Sequence, residues 1–138
     1  IVNAGGDLRA YGRAGNRPWR IGIRHPRGDG IIAGLEIGGD ESVFTSGDYE
    51  RFFELDGRRY HHILDPATGY PAMGIRSVTV VNQDAALADA AATALFIAGP
   101  DDWHRLARQM GVELVEGRDL VVDHVDQAGQ HGCCDRRR

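Results

Sequence analysis

Short runs of alternating hydrophobic and polar residues follow one another through the first two-thirds of the chain. Residues 19–24 alternate with a period of two, which is typical of a strand with one buried face. Similar short runs occupy residues 1–3, 8–11, 31–37 and 42–45. Residues 75–82 hold the richest run of β-branched side chains, which favours a buried central strand. Glycine-rich turns separate the runs, and the pattern predicts a mainly antiparallel sheet.

A hairpin is predicted in the middle of the chain. Residues 49–55 and 58–64 are rich in aromatic side chains, and Asp56-Gly57 between them is a two-residue turn signal. A tight hairpin brings its flanks together, so the polar segment 45–48 is expected near His61 and His62. Hydroxyls, a carboxylate and imidazoles at one end of a hairpin suit a catalytic site, but an ordinary polar hairpin contains the same residues.

The period changes after residue 84. Asp84 can cap a helix over 85–98, which is rich in alanine, and Gly99-Pro100 should end it before a second helix that reaches Met110. Residues 112–115 and 120–122 are predicted to form a last hairpin, followed by a disordered polar tail over 126–138. Strands followed by helices predict an α+β fold, with two helices packed on one face of the sheet.

Composition narrows the function classes. The 138 residues suffice for one core and carry a net charge of −4, with all sixteen basic residues being arginine. The charge and the lack of a basic aromatic stripe argue against a nucleic-acid partner. No apolar run approaches the roughly 18 residues of a membrane span. Cys133 and Cys134 are adjacent, so they suit neither a structural disulfide nor, by themselves, a zinc site. The chain opens within a strand pattern, and we expect it to be the back portion of a longer sequence.

Two oxygen-bearing side chains are candidates for a metal site. Asp89 and Thr93 are four residues apart, hence on one face of the predicted helix. Carboxylate and hydroxyl oxygens suit Mg²⁺, which takes few protein ligands beside substrate phosphates. The alternative is a threonine that bonds a backbone carbonyl of its own helix and an aspartate that faces water.

His61 and His62 are neighbours in a predicted strand, so they should point to opposite sides. At most one can face a given site, and there it could accept a proton at neutral pH. The other would pack against the sheet or meet solvent, and a single histidine in a strand is often only structural.

Five segments together resemble the ApbE family, the FAD:protein FMN transferases. In order they are NAGGD (3–7), PWRIGI (18–23), TSGDYE (45–50), YHHILDPATG (60–69) and ADAAATA (88–94). The resemblance covers about residues 1 to 123, and its order and spacing are distinctive. Residues 1–125 are thus interpreted as the C-terminal portion of an ApbE-like domain, with an incomplete fold.

The resemblance implies transfer of FMN from FAD to a threonine hydroxyl of an acceptor redox protein, with Mg²⁺ required and AMP released. It places the metal on Asp89 and Thr93, the base or proton handling on His62, and a flavin contact on the backbone around Ile63. Ser46 and Gly47 are expected beside the cofactor, where they would shape the histidine turn. His61 should then face away from the flavin.

The resemblance also implies a bacterial cell-envelope location, on the periplasmic side of the inner membrane. The family's front half, which supplies further flavin, adenine and metal contacts, is missing from these residues. Ala92 occupies a position where some members carry another carboxylate. Two alternatives stay open: a flavin-binding or truncated module without turnover, and a pyrophosphatase that splits FAD into FMN and AMP.

Overall fold

Ten strands and one helix make up the part of the chain that the computed structural model describes, namely residues 1–112, 120–125 and 131–132. Six strands form an antiparallel sheet in the order β1-β2-β5-β8-β9-β10, and β3-β4 and β6-β7 are separate two-stranded pairs. The bounds are β1 (Val2–Ala4), β2 (Asp7–Ala10), β3 (Trp19–Arg24), β4 (Ile31–Ile37), β5 (Glu41–Gly47), β6 (Phe52–Leu55), β7 (Arg58–His61), β8 (Ile75–Asn82), β9 (Leu120–Val125), β10 (His131–Gly132) and α1 (Ala85–Met110).

The central strand β8 is buried on both faces, as its β-branched sequence predicts. Val78 and Val80 belong to the core under α1, where Leu95 and Phe96 are fully buried. Val81 belongs to a second core on the other face, under the β3–β4 pair. Helix, sheet and β3–β4 pair therefore form three layers, and the predicted α+β class with an antiparallel sheet is confirmed.

Helix α1 begins where the sequence places its cap. The Asp84 side chain accepts hydrogen bonds from the backbone N–H groups of Ala86 and Leu87. The two predicted helices are one helical element interrupted at a single residue, Gly99, whose φ of 76° and ψ of 177° are not helical. Pro100 restarts the helix at once, since proline suits the first position of a helix.

The β6–β7 hairpin has the predicted turn, although each strand is three residues shorter than predicted at its outer end. Both turn residues have positive φ, 50° at Asp56 and 73° at Gly57, which the two-residue turn of this kind requires. Among the described residues this hairpin pairs with no strand of the large sheet. The polar loop 62–71 that follows is closed by a hydrogen bond from the Ala72 N–H to the Ile63 carbonyl, at 3.0 Å.

The end of the chain is described only in part. Residues 113–119, with most of the first strand of the predicted last hairpin, lie outside the described residues, and β9 pairs with β8. Of the predicted tail, only β10 is described, and it pairs with β9. No helix of the described ranges is long and apolar enough to cross a membrane.

Candidate active site

A cleft of about 450 Å³ is lined by residues of the large sheet, of β3 and of α1. The elements around it are the β1–β2 turn, β3, the end of β5, the residue after β7 and the first half of α1. Residues that could do chemistry line this cleft, among them Asp7, Ser46, Gly47, His62, Asp89 and Thr93. Five of the six sequence-predicted site residues are therefore brought together, although they are spread over 48 positions from Ser46 to Thr93.

Helix α1 contributes two side chains to the cleft. Asp89 is exposed and Thr93 is half-buried, and their spacing of four places them on one face of the helix. The neighbouring Ala92 is fully buried in the core under the helix. A carboxylate oxygen and a hydroxyl oxygen are thus presented side by side, which is a donor set that fits Mg²⁺.

The end of β5 meets this face of the helix. The Ser46 and Thr93 hydroxyl oxygens are 2.9 Å apart and share a hydrogen bond between β5 and α1. Gly47 follows, and a Cβ there would come within 2.5 Å of the Tyr49 ring and 3.2 Å of the Arg76 carbonyl oxygen. A larger residue at position 47 would therefore have to displace the Tyr49 ring, which lies in the cleft wall.

Asp48 does not line the cleft, but it forms ion pairs next to the end of β5. Asp48 is only 7% exposed, and both oxygens of its carboxylate accept hydrogen bonds from the Arg27 guanidinium, with Nη1 at 2.7 Å from Oδ1. Arg59, on β7, lies 3.9 Å from the same carboxylate. The contact between Arg59 and Asp48 connects the end of β5 to the β6–β7 hairpin.

The two histidines lie on opposite sides of β7's end, as predicted. His62 is exposed and lines the cleft, whereas His61 is 7% exposed and belongs to the interior. The Nδ1 atom of His62 lies 3.3 Å from the Arg51 carbonyl oxygen. Because a carbonyl only accepts, this contact favours the tautomer with the proton on Nδ1, which leaves the Nε2 lone pair able to take a proton.

Asp7 is not among the site residues predicted from the sequence, but it lines the cleft. Burial raises the pKa of this carboxyl above its ordinary value, and repulsion from Asp89 raises it further. The two carboxylates therefore concentrate negative charge at this end of the cleft. The sequence shows Asp7 as the end of a glycine turn and of the segment NAGGD, but the approach of that turn to α1 depends on tertiary structure.

Comparison with known proteins shows the family of this chain. The family model described as the ApbE family matches residues 1–115. The chain belongs to the ApbE family. A Rhodobacter capsulatus protein named FAD:protein FMN transferase is 47% identical over 115 residues, which are 83% of this chain and 22% of that protein.

Solved ApbE structures share the fold. The ApbE protein of Thermotoga maritima is 42% identical, with a TM-score of 0.77 over 96% of this chain and 41% of that one. The flavinyl transferase ApbE of Pseudomonas stutzeri is 35% identical, with a TM-score of 0.68 over 96% and 40%. The chain thus spans well under half the length of these ApbE proteins.

Ile63 is the one predicted ApbE site residue that does not line the cleft. Its side chain is buried in the core, its N–H donates to Nδ1 of His61 at 3.3 Å, and its carbonyl accepts from the Ala72 N–H. The flavin contact predicted for this segment stays a prediction. Among the described residues no group of three or more histidine, cysteine or acidic side chains is arranged to hold a metal by itself.

Ala92 occupies the position where some ApbE members carry another carboxylate, and the structure shows where its side chain lies. Since Ala92 is fully buried against the core, the side chain at this position does not belong to the cleft face of α1. The carboxylates that line the cleft with Thr93 include Asp89, one turn earlier on the helix, and Asp7 from the β1–β2 turn.

Proposed function

We propose that this chain forms part of an Mg²⁺-dependent FAD:protein FMN transferase, which moves FMN from FAD to a threonine hydroxyl of an acceptor redox protein and releases AMP. The observation that carries the proposal is that one cleft is lined by His62 from the hairpin and by Asp89 and Thr93 from α1. A proton acceptor and a pair of metal-binding oxygens are the groups this reaction needs. Relatives named FAD:protein FMN transferase support the same function.

Asp89 and Thr93 are proposed to hold the cation. Their two oxygens leave room for the phosphate and water ligands that Mg²⁺ keeps in nucleotide sites. Mg²⁺ bound there would stabilise the negative charge that develops on the pyrophosphate in the transition state. In its absence, burial raises the pKa of the Asp7 carboxyl, and repulsion from the Asp89 carboxylate raises it further.

His62 is proposed to be the general base. With the Nδ1 proton directed to the Arg51 carbonyl, Nε2 accepts the proton of the acceptor threonine. The threonine oxygen forms a bond to the FMN phosphorus while the bond from that phosphorus to the bridging oxygen breaks. AMP leaves with the bridging oxygen, so phosphorus keeps four oxygen substituents and the proton ends on the imidazole.

We also propose that protein outside these 138 residues completes the FAD site. The chain covers 41% of the Thermotoga maritima structure, so more than half of that protein has no counterpart in these residues. The remaining flavin and adenine contacts would come from that further part. Activity is therefore expected of the complete protein, and the chain alone should bind FAD weakly.

The test uses the complete protein with FAD, MgCl₂ and a peptide that carries an acceptor threonine. Chromatography should detect AMP, and mass spectrometry should detect the peptide with added FMN, in equal amounts. His62→Ala should abolish both, whereas His104→Ala, at an exposed histidine on the later part of α1, should leave both unchanged. Replacing the acceptor threonine with valine should also abolish transfer.

Other outcomes would identify the alternatives. FMN and AMP formed at the same rate without any peptide would indicate a pyrophosphatase, in which water replaces the threonine. FAD binding in a titration, with no AMP released under any condition, would indicate a flavin-binding module. Full turnover by His62→Ala would refute the assignment of the base.

A further inference from the structure

The hairpin that carries His62 is attached to the rest of the fold by few contacts. Strands β6 and β7 pair with each other and with no other strand of the described residues. The position of His62 relative to Asp89 and Thr93 must therefore be set by side-chain and loop contacts. His61, the residue before it, makes contacts of both kinds.

The imidazole of His61 closes the base of the loop 62–71. Its Nε2 lies 2.9 Å from the Ala72 carbonyl oxygen, and its Nδ1 lies 3.3 Å from the Ile63 nitrogen. A carbonyl only accepts and an N–H only donates, so Nε2 carries the proton and Nδ1 is bare. Both nitrogens are used only in this neutral tautomer. It is the opposite of the tautomer that the Arg51 contact favours for His62.

The same ring touches the helix that carries the other half of the site. Its edge faces the Phe96 ring at a centroid distance of 5.4 Å and an interplanar angle of 82°. Phe96 is fully buried in α1, three residues after Thr93 and hence on a neighbouring part of the helix. His61 thus bonds the loop next to His62 and packs on the helix of Asp89 and Thr93.

We propose that His61 is a positioning residue, which holds His62 in register with the Asp89–Thr93 face of α1 through the closed loop and Phe96. The proposal rests on the proposed function for its effect on turnover, but the tautomer and the loop closure can be tested without any activity. A histidine that only filled the core would not need a hydrogen bond at either ring nitrogen, and so would not need one particular tautomer.

Two substitutions separate these roles. In His61→Gln, the amide nitrogen can donate to the Ala72 carbonyl and the amide oxygen can accept from Ile63, so the loop closure is retained. His61→Leu keeps a side chain of similar volume but loses both hydrogen bonds. His104→Ala is the control for loss of an exposed histidine elsewhere.

Nitrogen-15 NMR of the complete protein at neutral pH should show His61 protonated on Nε2 and unprotonated on Nδ1. In His61→Leu, the amide protons of Ile63 and Ala72 should exchange with solvent at least tenfold faster. The kcat for FMN transfer should fall by about 100-fold, the scale of a misplacement of about 1 Å, with KM for FAD little changed. His61→Gln should recover most of the kcat and most of the amide protection.

Three results would overturn the proposal. One is a His61 ring protonated on Nδ1 or on both nitrogens. Another is His61→Leu with unchanged amide exchange, or with unchanged kcat in a protein that transfers FMN. The third is equal loss of kcat in the Gln and Leu variants. If the wild-type protein transfers no FMN, the proposed function fails, and the NMR and exchange results still decide the positioning contacts. If His61→Leu does not fold, the tautomer and the kcat of His61→Gln decide.

Discussion

The hydrogen bond between Ser46 and Thr93 makes a quantitative prediction about how the cleft is held together. The two hydroxyl oxygens are 2.9 Å apart, on β5 and α1, and both side chains are half-buried. A neutral hydrogen bond of this kind contributes about 1 kcal/mol to the free energy of unfolding. Removing one hydroxyl leaves the other without this hydrogen bond, although water can reach a half-buried hydroxyl and limit the loss of stability.

Ser46→Ala and Thr93→Val should therefore each lower the free energy of unfolding by about 1 kcal/mol. Valine has the shape of threonine, so the second change removes the hydroxyl with little change in packing. In the double variant the bond is already absent after the first change. The total loss should then be about 1 kcal/mol rather than about 2, which is a coupling energy of about 1 kcal/mol.

Urea unfolding followed by circular dichroism measures these quantities, provided that the slope of free energy against urea is the same in all four proteins. The control cycle combines Ser46→Ala with Thr68→Ala, because Thr68 bonds Asp65 in the loop and shares no partner with Ser46. Those two changes should add to within about 0.5 kcal/mol. Additive losses for Ser46 and Thr93 would refute the bond between β5 and α1.

Further predictions concern the cap, the helix break and the charges of the cleft. Asp84→Ala should lower the free energy of unfolding by about 1 kcal/mol, measured by urea unfolding, whereas Asp84→Asn should be nearly neutral because asparagine also caps helices. Gly99→Ala should lower the melting temperature measured by calorimetry, because the φ of 76° with ψ of 177° is a conformation that alanine adopts only at a cost of about 1–3 kcal/mol. The raised pKa of Asp7 means that the folded protein holds this proton more tightly than the unfolded chain. The contribution of Asp7 to the free energy of unfolding should therefore decline as pH rises from 3.8 through the folded pKa. Asp7→Asn should reduce this decline when unfolding is measured against pH. MgCl₂ at 100 times its dissociation constant should stabilise the complete protein by about 2.7 kcal/mol in thermal unfolding. Asp89→Asn should remove this stabilisation. The control Asp102→Asn, on the later part of α1, should retain it.

Much of the local structure follows from the sequence. The alternation over 19–24 and the run over 31–37 predict β3 and β4 with the bounds that the structure has. Asp56-Gly57 predicts its turn, and Asp84 predicts its cap. These features depend on the backbone angles and hydrogen bonds of a few neighbouring residues, which the residue types themselves decide. Family motifs at characteristic spacing also predict the ApbE fold.

Tertiary structure decided which of these residues meet. Three contacts join positions 21 to 82 residues apart: the hydrogen bond between Ser46 and Thr93, the ion pair of Arg27 with Asp48, and the approach of Asp7 to Asp89. Local periodicity is the same for any order of strands, so it does not show that β5 lies next to β8 and under α1.

The histidine pair shows the same division. Strand geometry alone predicts that His61 and His62 point to opposite sides, because side chains alternate along a strand. Which one enters the cleft, and which tautomer its neighbour adopts, depends on where the Ala72 carbonyl and the Phe96 ring lie. The sequence by itself determined the elements and the candidate side chains. The packing of sheet, hairpin and helix determined the site, since contacts between distant residues exist only once those elements are assembled.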